Sequence, residues 1–128
     1  MHIRFLTGRL DRLSGSGNYD GRLIEALAAR GHRVSVVART VAVPAAGMEW
    51  HALPVPDYAA TPLWRLNLPL GLWQGGRAIR RLAGDAPDVA VASEHLFLRG
   101  HAARFPGVPW VYFPHSFTYP DEIARFSN

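Results

Sequence analysis

The first 38 residues constrain the fold most, because two apolar runs flank one amphipathic stretch. Residues 2–7 and 33–38 are short apolar runs of strand length. Between them, four apolar residues recur at helical spacing: Leu23, Ile24, Leu27 and Ala28. We therefore predict a helix near residues 19–30, capped by Asn18 at its start and followed by Gly31. A helical crossover of this kind makes the two strands parallel.

The alternation of strands and helices continues along the rest of the chain. The patterns predict strands at 49–55, 88–92 and 109–113 and helices near 69–83, 96–105 and 120–126. Residues 63–73 alternate with a period of two, but Pro69 argues against an interior strand, so we expect an irregular entry to the helix. The helix from Pro69 to Ala83 is expected to bury Leu72, Gly76, Ile79, Leu82 and Ala83. The fold class is α/β: one domain over residues 1–128, with a Rossmann-like, doubly wound parallel sheet of about five strands.

Composition excludes several kinds of site. The chain has no cysteine, which rules out disulfides, Cys-ligated zinc and a thiol nucleophile. No histidine pair has a metal-binding spacing, so no metal site is expected. The longest uncharged run, residues 105–120, contains four prolines and is no membrane span. No leader segment is recognisable at residues 1–20, and we expect a cytoplasmic protein.

The positive charge is concentrated near the amino terminus. All 14 basic residues are arginines, and the formal net charge is +4. Residues 1–40 hold seven arginines and three acids, whereas residues 41–128 hold seven of each. The arginines form no run, so we do not expect nucleic-acid binding. A positively charged entrance to a site for a phosphate-bearing ligand fits this uneven charge distribution. A solvated surface is the alternative interpretation.

Three segments should converge on one ligand crevice. In an open parallel sheet, ligands bind beyond the carboxyl ends of the strands, where the strand order reverses. The expected contributors are the loop Gly15-Ser16-Gly17-Asn18, then Glu94-His95, then His115-Ser116. Glycines allow close approach, and helix N–H groups favour phosphate or hydroxyl oxygens. The dinucleotide fingerprint is missed because Asp20 stands where glycine or alanine is required, and a plain flexible loop is the alternative.

The two histidines at strand ends differ in expected role. His95 and His115 have side chains that titrate near neutrality, which suits ligand binding or proton transfer. Ser93 and Glu94 are explained equally well by a helix start, where serine caps and an acid favours the dipole, and we prefer that reading for them. His115 follows the apolar run 110–113, and we expect it to be functional.

Four segments together resemble a known family. Residues 14–19, 27–37, 87–92 and 108–115 resemble, in order and spacing, the N-terminal, acceptor-side domain of a GT-B glycosyltransferase of the family-4 type. The resemblance implies two Rossmann-like domains facing each other across a cleft. The N-terminal one would bind a sugar or lipid-linked acceptor. The C-terminal one would bind a nucleotide-sugar donor and carry two glutamates seven residues apart, with no further cofactor.

The resemblance also implies roles and limits. Gly15 and Gly17 would line the cleft, and His115 would lie near the transferred sugar as the catalytic residue of a retaining enzyme. The sequence ends at Asn128, before any donor domain, so we expect no turnover by this chain alone and a homodimer through exposed apolar surface. A non-catalytic nucleotide- or partner-binding module is the alternative. The apolar stretch 64–73 is expected in the core, with a lipid-linked acceptor or the inner membrane face as the other reading.

Overall fold

The computed structural model of the chain describes residues 1–10, 15–55, 64–92 and 95–113. In chain order the elements are β1 (His2–Leu6), β2 (Arg9–Leu10), α1 (Gly15–Ala29), β3 (Arg33–Ala38), β4 (Thr40–Val41), β5 (Met48–Ala52), α2 (Trp64–Ile79), β6 (Val89–Ala92), α3 (His95–Arg104) and β7 (Trp110–Tyr112). The helix expected near residues 120–126 lies outside the described residues.

Five strands form one sheet in the order β5-β3-β1-β6-β7, and every neighbouring pair is parallel. The predicted Rossmann-like parallel sheet is therefore confirmed. β3 begins and ends where the sequence indicates. The other predicted strands are shorter by one or two residues, and β5 begins one residue earlier than predicted. A second, two-stranded parallel sheet, β2-β4, was not predicted. It forms because the chain segments leaving β1 and β3 stay paired: the Arg39 amide donates to the Gly8 carbonyl at 3.1 Å.

The sheet separates two apolar cores, as a doubly wound fold requires. On one face, Ile3 and Phe5 pack with Ile24 of α1. On the other face, Leu6 packs with Ile79 of α2 and Phe97 of α3. Adjacent residues of a strand point to opposite faces, so β1 contributes to both cores and lies at the centre of the fold.

Helix α1 begins earlier than the sequence predicted. The expected start at Asn18 is wrong, because the helix runs from Gly15 and residues 15–18 form its first turn. The glycines that suggested a loop are tolerated there, since the first turn carries few of the helix's hydrogen bonds. The predicted end is confirmed. Gly31 has φ +85°, its amide donates to Ala28 O at 2.9 Å, and the His32 amide donates to Leu27 O at 3.2 Å.

Helix α2 also differs from expectation at both ends. It starts at Trp64, with Pro69 inside it, and ends at Ile79 rather than at Ala83. Pro69 is the sixth helical residue, so its missing N–H removes only a bond to the first turn, which the helix accommodates. Of the expected core positions, Gly76 and Ile79 are buried, Leu82 is half-buried and Ala83 is exposed, while the side chain of Leu72 is not described.

The apolar stretch before Gly76 is not wholly core. Leu70 and Trp73 are 44% and 51% exposed, so the expectation that residues 64–73 pack inside is wrong for these two side chains. Both lie on the surface of α2, where they are available to a partner.

Helices α2 and α3 cross at very short range through glycines. A Cβ atom on Gly100 would overlap the carbonyl oxygen of Gly76. A Cβ on Gly76 would lie 2.9 Å from the carbonyl oxygen of Leu96, and one on Gly75 would overlap the ring of Phe97. Only glycine fits at these positions, and the two backbones meet there without side chains between them.

A buried polar cluster lies at the amino-terminal end of the sheet. Arg4 is 3% exposed, and its Nε donates to the Ser35 hydroxyl at 3.2 Å while Nη2 donates to the Asp85 carbonyl at 3.0 Å. The same hydroxyl lies 2.8 Å from His2 Nε2. The Arg4 guanidinium also sits 5.3 Å from the centroid of the Phe105 ring. These bonds tie β1, β3 and the segment before β6 in register.

His101 completes this region from α3. Its ring lies 5.0 Å from that of Phe105 and is 2% exposed. Burial, together with the nearby charge of Arg4, lowers the pKa of His101 to about 4. His101 is therefore a neutral core side chain.

Candidate functional site

The strand order reverses between β1 and β6, so the space beyond the carboxyl ends of these two strands is the expected position of a ligand crevice. The chain builds outward from β1 through β3 to β5, then crosses to β6 and β7. Leu6 pairs with Ala92, and Ala92 pairs with Tyr112, so the three strands end level with one another. The Phe113 amide donates to the Ala92 carbonyl at 2.8 Å and extends this edge by one residue. Ligands of open parallel sheets bind in this position.

Helix α1 follows β1 and β2 in the chain, and its first turn is one of the segments expected to line the crevice. Gly15, Ser16, Gly17 and Asn18 were predicted as a loop, and they are the first four residues of the helix instead. The leading N–H groups of a helix have no partners within it and carry partial positive charge. The first turn contains no acidic residue that would offset this charge. Binding of an anion or a hydroxyl group by this segment stays a prediction, with helical geometry in place of the expected loop.

An aromatic contact joins α1 to the end of β7. The ring of Tyr19 stacks on that of Phe113, with centroids 5.6 Å apart and an interplanar angle of 26°. Phe113 is two residues before His115, so the contact brings the first turns of α1 beside the segment that leads to that histidine. Both rings remain partly exposed, at 47% and 39%. The contact lies next to the carboxyl end of β7.

The other predicted site residues are placed only in part. His95 is the first residue of α3, directly after the end of β6. Glu94, His115 and Ser116 lie outside the described residues. The convergence of all three segments therefore stays a prediction, while the ends of β1, β6 and β7 and the start of α1 are positioned as it requires.

Sequence reasoning missed three residues near the crevice. Tyr19 and Phe113 form the contact described above, and Asp20 next to Tyr19 is 7% exposed. A buried carboxylate this close to a helix start is unusual for a dinucleotide fold, which has glycine or alanine at this point. The signal for Asp20 was its departure from that fingerprint. The stacking pair had no comparable signal, because it joins residues 94 positions apart in the chain.

The described arginines of residues 1–40 are spread over both ends of the sheet and over α1, with Arg22 on that helix and Arg30 directly after it. Arg9 and Arg39 follow the carboxyl ends of β1 and β3, on the crevice side. Arg4 is buried at the opposite end. Arg33, at the start of β3, donates to both Glu49 oxygens at 2.9 and 3.1 Å and to Asp85 at 2.8 Å. The positive charge of residues 1–40 is therefore not concentrated on the crevice side of the sheet.

The Arg33 pairs set the ionisation of their partners. Hydrogen bonding to Arg33 lowers the pKa of the Glu49 carboxyl. The pKa of Asp85 is lowered first by a bond to its own backbone and then by Arg33. The pKa of Arg33 is raised by the same two carboxylates, so all three groups are charged at neutral pH.

Two kinds of feature are absent from the described residues. Within residues 1–10, 15–55, 64–92 and 95–113, no three histidine or acidic side chains are grouped to hold a metal ion. The same residues include no helix that is both long and apolar enough to cross a bilayer.

The fold is a Rossmann-like parallel sheet, and a ligand site at the carboxyl ends of its strands stays a prediction. A family model described as Glycosyltransferase Family 4 matches residues 13–127, which is nearly the whole chain. The chain belongs to this family and is a glycosyltransferase-type module. No curated protein and no solved structure matched the chain.

Proposed function

We propose that the chain is the acceptor-binding part of a retaining, nucleotide-sugar-dependent glycosyltransferase of GT-B architecture. Membership of the family over residues 13–127 supports sugar transfer as the activity. The stacking of Tyr19 on Phe113 is the observation that carries the site, since it holds the start of α1 beside the approach to His115. The crevice between them is the acceptor site.

The residues divide into two roles in this proposal. The first turn of α1, Gly15 to Asn18, offers backbone N–H groups to a phosphate or to sugar hydroxyls. Glu94, His95 and Ser116 bind the acceptor from the other strand ends. His115 is the catalytic residue: it hydrogen-bonds the transferred sugar and stabilises the charge that develops in the transition state.

The donor is bound by a second domain or a partner chain. The four glutamates of this chain stand at positions 25, 49, 94 and 122, so no two are seven residues apart. The glutamate pair that the resemblance assigns to donor binding is therefore not supplied by these 128 residues. We infer that these residues alone bind acceptor and transfer no sugar.

A screen of donors and acceptors tests this function. The chain joined to its donor-binding domain is incubated with a panel of nucleotide sugars and with sugar and lipid-linked acceptors, and glycosylated products are detected by mass spectrometry. Transfer that retains the anomeric configuration supports the proposal, and it should fall by at least about a hundredfold in His115→Ala, the scale of a lost transition-state contact. No product from any pair, or unchanged transfer in His115→Ala, contradicts it.

A non-catalytic partner-binding module is the second candidate, and β7 favours it. Trp110, Val111 and Tyr112 are 55%, 44% and 46% exposed, and Phe113 adds to the same apolar strip. Neighbouring apolar side chains that are exposed mark interaction surfaces, and we propose that two copies of the chain associate through β7. Light scattering at rising concentration should show a dimer that Val111→Glu removes. A monomer at every concentration contradicts self-association.

We also propose a cytoplasmic location with association at the inner membrane face. Exposed Leu70 and Trp73 on α2 support this, because apolar and aromatic side chains insert at a bilayer surface. Sedimentation with neutral phosphatidylcholine vesicles should be lost in a Leu70→Ser, Trp73→Ser double variant. Equal sedimentation of the variant and the natural chain contradicts this location.

A further inference from the structure

A groove runs between α2 and α3 on their outer side, away from the crevice. Its volume is about 360 Å³, within the range of small-ligand sites. The residues that matter for its chemistry are Trp73, Gly76, Arg77, Arg80, Arg99 and Gly100. Nothing in the proposed function uses this groove.

The depth of the groove comes from the glycine crossing. Gly76 and Gly100 bring the two helix backbones together, and no side chain larger than hydrogen can occupy their contact. The longer side chains on either side then stand above this floor as walls. The concavity is therefore built into the helix packing and does not depend on one surface rotamer.

The walls are positively charged, and the two helices that form them contain no acidic residue. Residues 64–84 and 95–104 contain six arginines and no aspartate or glutamate. None of Arg77, Arg80 and Arg99 forms an ion pair with another described residue. The nearest acid that follows α2, Asp85, is engaged by Arg33. Three like charges around one concavity repel one another, and a bound anion relieves that repulsion.

One arginine is already held in place. The guanidinium of Arg77 lies 4.8 Å from the centroid of the Trp73 ring, a cation–π contact. Stacking restricts the side chain and leaves the edge of its planar group free to donate hydrogen bonds. Guanidinium edges match phosphate oxygens in pairs, which makes arginine the preferred residue for phosphate recognition.

We propose that this groove binds a phosphate group, with Arg77, Arg80 and Arg99 as its ligands. A surface of independent solvated arginines would spread them over the helices, whereas here three line one concavity with a glycine floor. The phosphate can belong to a soluble molecule or to a lipid headgroup, since both present the same oxygens to the arginines.

Titration with inorganic pyrophosphate tests the site. The ¹⁵N-labelled chain is titrated at constant ionic strength with chloride as the balancing ion, and amide and arginine Nε signals are followed. Saturable shifts should appear at Gly76, Arg77 and Gly100. The Arg80→Gln, Arg99→Gln double variant should bind at least about fivefold more weakly, because each lost pair removes a charge-assisted contact.

The matched control removes the same charge elsewhere. Arg22 on α1 and Arg30 directly after it are exposed on the other face of the sheet, and their double change to glutamine lowers the net charge equally. This control should bind pyrophosphate like the natural chain. The proposal is overturned if the control weakens binding as much as the groove variant does, which would indicate a general charge effect.

A vesicle arm separates the two sources of phosphate. Vesicles of phosphatidylglycerol are compared with vesicles of phosphatidylcholine in sedimentation with the groove variant and the control. Arginine-dependent binding to the anionic vesicles without saturable pyrophosphate binding assigns the site to a lipid headgroup, and the reverse assigns it to a soluble phosphate. No arginine-dependent binding in either arm overturns the proposal. None of these readouts depends on sugar transfer, so their failure leaves the proposed function standing.

Discussion

Tyr19 and Phe113 are stacked across the crevice, although one lies in the first turns of α1 and the other at the end of the last described strand. The contact links the amino-terminal part of α1 to the residue that follows β7. A double-mutant cycle with Tyr19→Leu and Phe113→Leu should give a coupling free energy of about 1 kcal/mol in urea unfolding, as stacked aromatic pairs do. Strictly additive effects of the two changes would mean that the rings do not support each other.

The glycine crossing of α2 and α3 should be intolerant of a single methyl group. Gly100→Ala gains about 1 kcal/mol from helix propensity. The new Cβ, however, overlaps the Gly76 carbonyl and forces the helices apart, at a cost of roughly 1–3 kcal/mol. We expect a net loss of stability, measured as a lower urea midpoint with an unchanged slope.

Gly8 supplies the control for that change. A Cβ on Gly8 would meet no atom within 4 Å, and its φ is not in the left-handed region. Gly8→Ala should therefore change the free energy of unfolding by no more than about 0.5 kcal/mol. If Gly8→Ala and Gly100→Ala are equally tolerated, the helices are not in the close contact described.

The buried histidine predicts how stability depends on pH. The unfolded chain protonates His101 near pH 6.5, whereas the folded chain resists protonation until about pH 4. The unfolded state thus binds more protons in this window, and the free energy of unfolding falls as the pH falls through it. His2, whose pKa is also lowered by burial, contributes in the same direction.

Denaturant unfolding between pH 7 and pH 4 measures this effect. In His101→Gln the slope of stability against pH should be shallower than in the natural chain, with the remainder due in part to His2. The same slope in His101→Gln and the natural chain would place His101 in contact with solvent.

The ion pair at the amino-terminal end of the sheet makes a spectroscopic prediction. In a carboxyl-detected NMR titration, the pKa of Glu49 should be below its ordinary value and should rise in Arg33→Gln. Salt at about 1 M should reduce the difference, because both side chains are half exposed and screening is strong there. An unchanged Glu49 titration in Arg33→Gln would show that the pair is not formed in solution.

The spacing of apolar residues predicted the strands and helices that bury a face in the core. It missed the starts of two helices and the short β2-β4 pairing. The β1–α1–β3 unit follows from apolar residues at two different spacings, and β3 matches its predicted bounds. The starts of α1 and α2 could not be predicted in the same way, because Gly15, Gly17 and Pro69 disfavour helix locally and only the rest of each helix overrides that preference. The β2-β4 pairing is two residues long and has no periodic signal.

The position of the candidate site could be predicted from the sequence, but the side-chain contacts around it could not. The rule for open parallel sheets places it at the ends of β1 and β6, and the strand order agrees. The Tyr19–Phe113 contact and the burial of Asp20 arise from tertiary packing between distant segments, which one sequence does not encode as a pattern. The arginine groove likewise needs the glycine crossing of α2 and α3 to be known.

The most direct test of the account is where an acceptor binds to the 128-residue chain alone. An acceptor identified in the transfer screen is titrated into the ¹⁵N-labelled chain, and amide shifts are mapped. We predict saturable shifts at residues 15–19 and at Phe113, with no sugar transfer on addition of the donor. Shifts confined to other parts of the chain, binding of the nucleotide sugar in place of the acceptor, or turnover by the chain alone would contradict an acceptor-binding role.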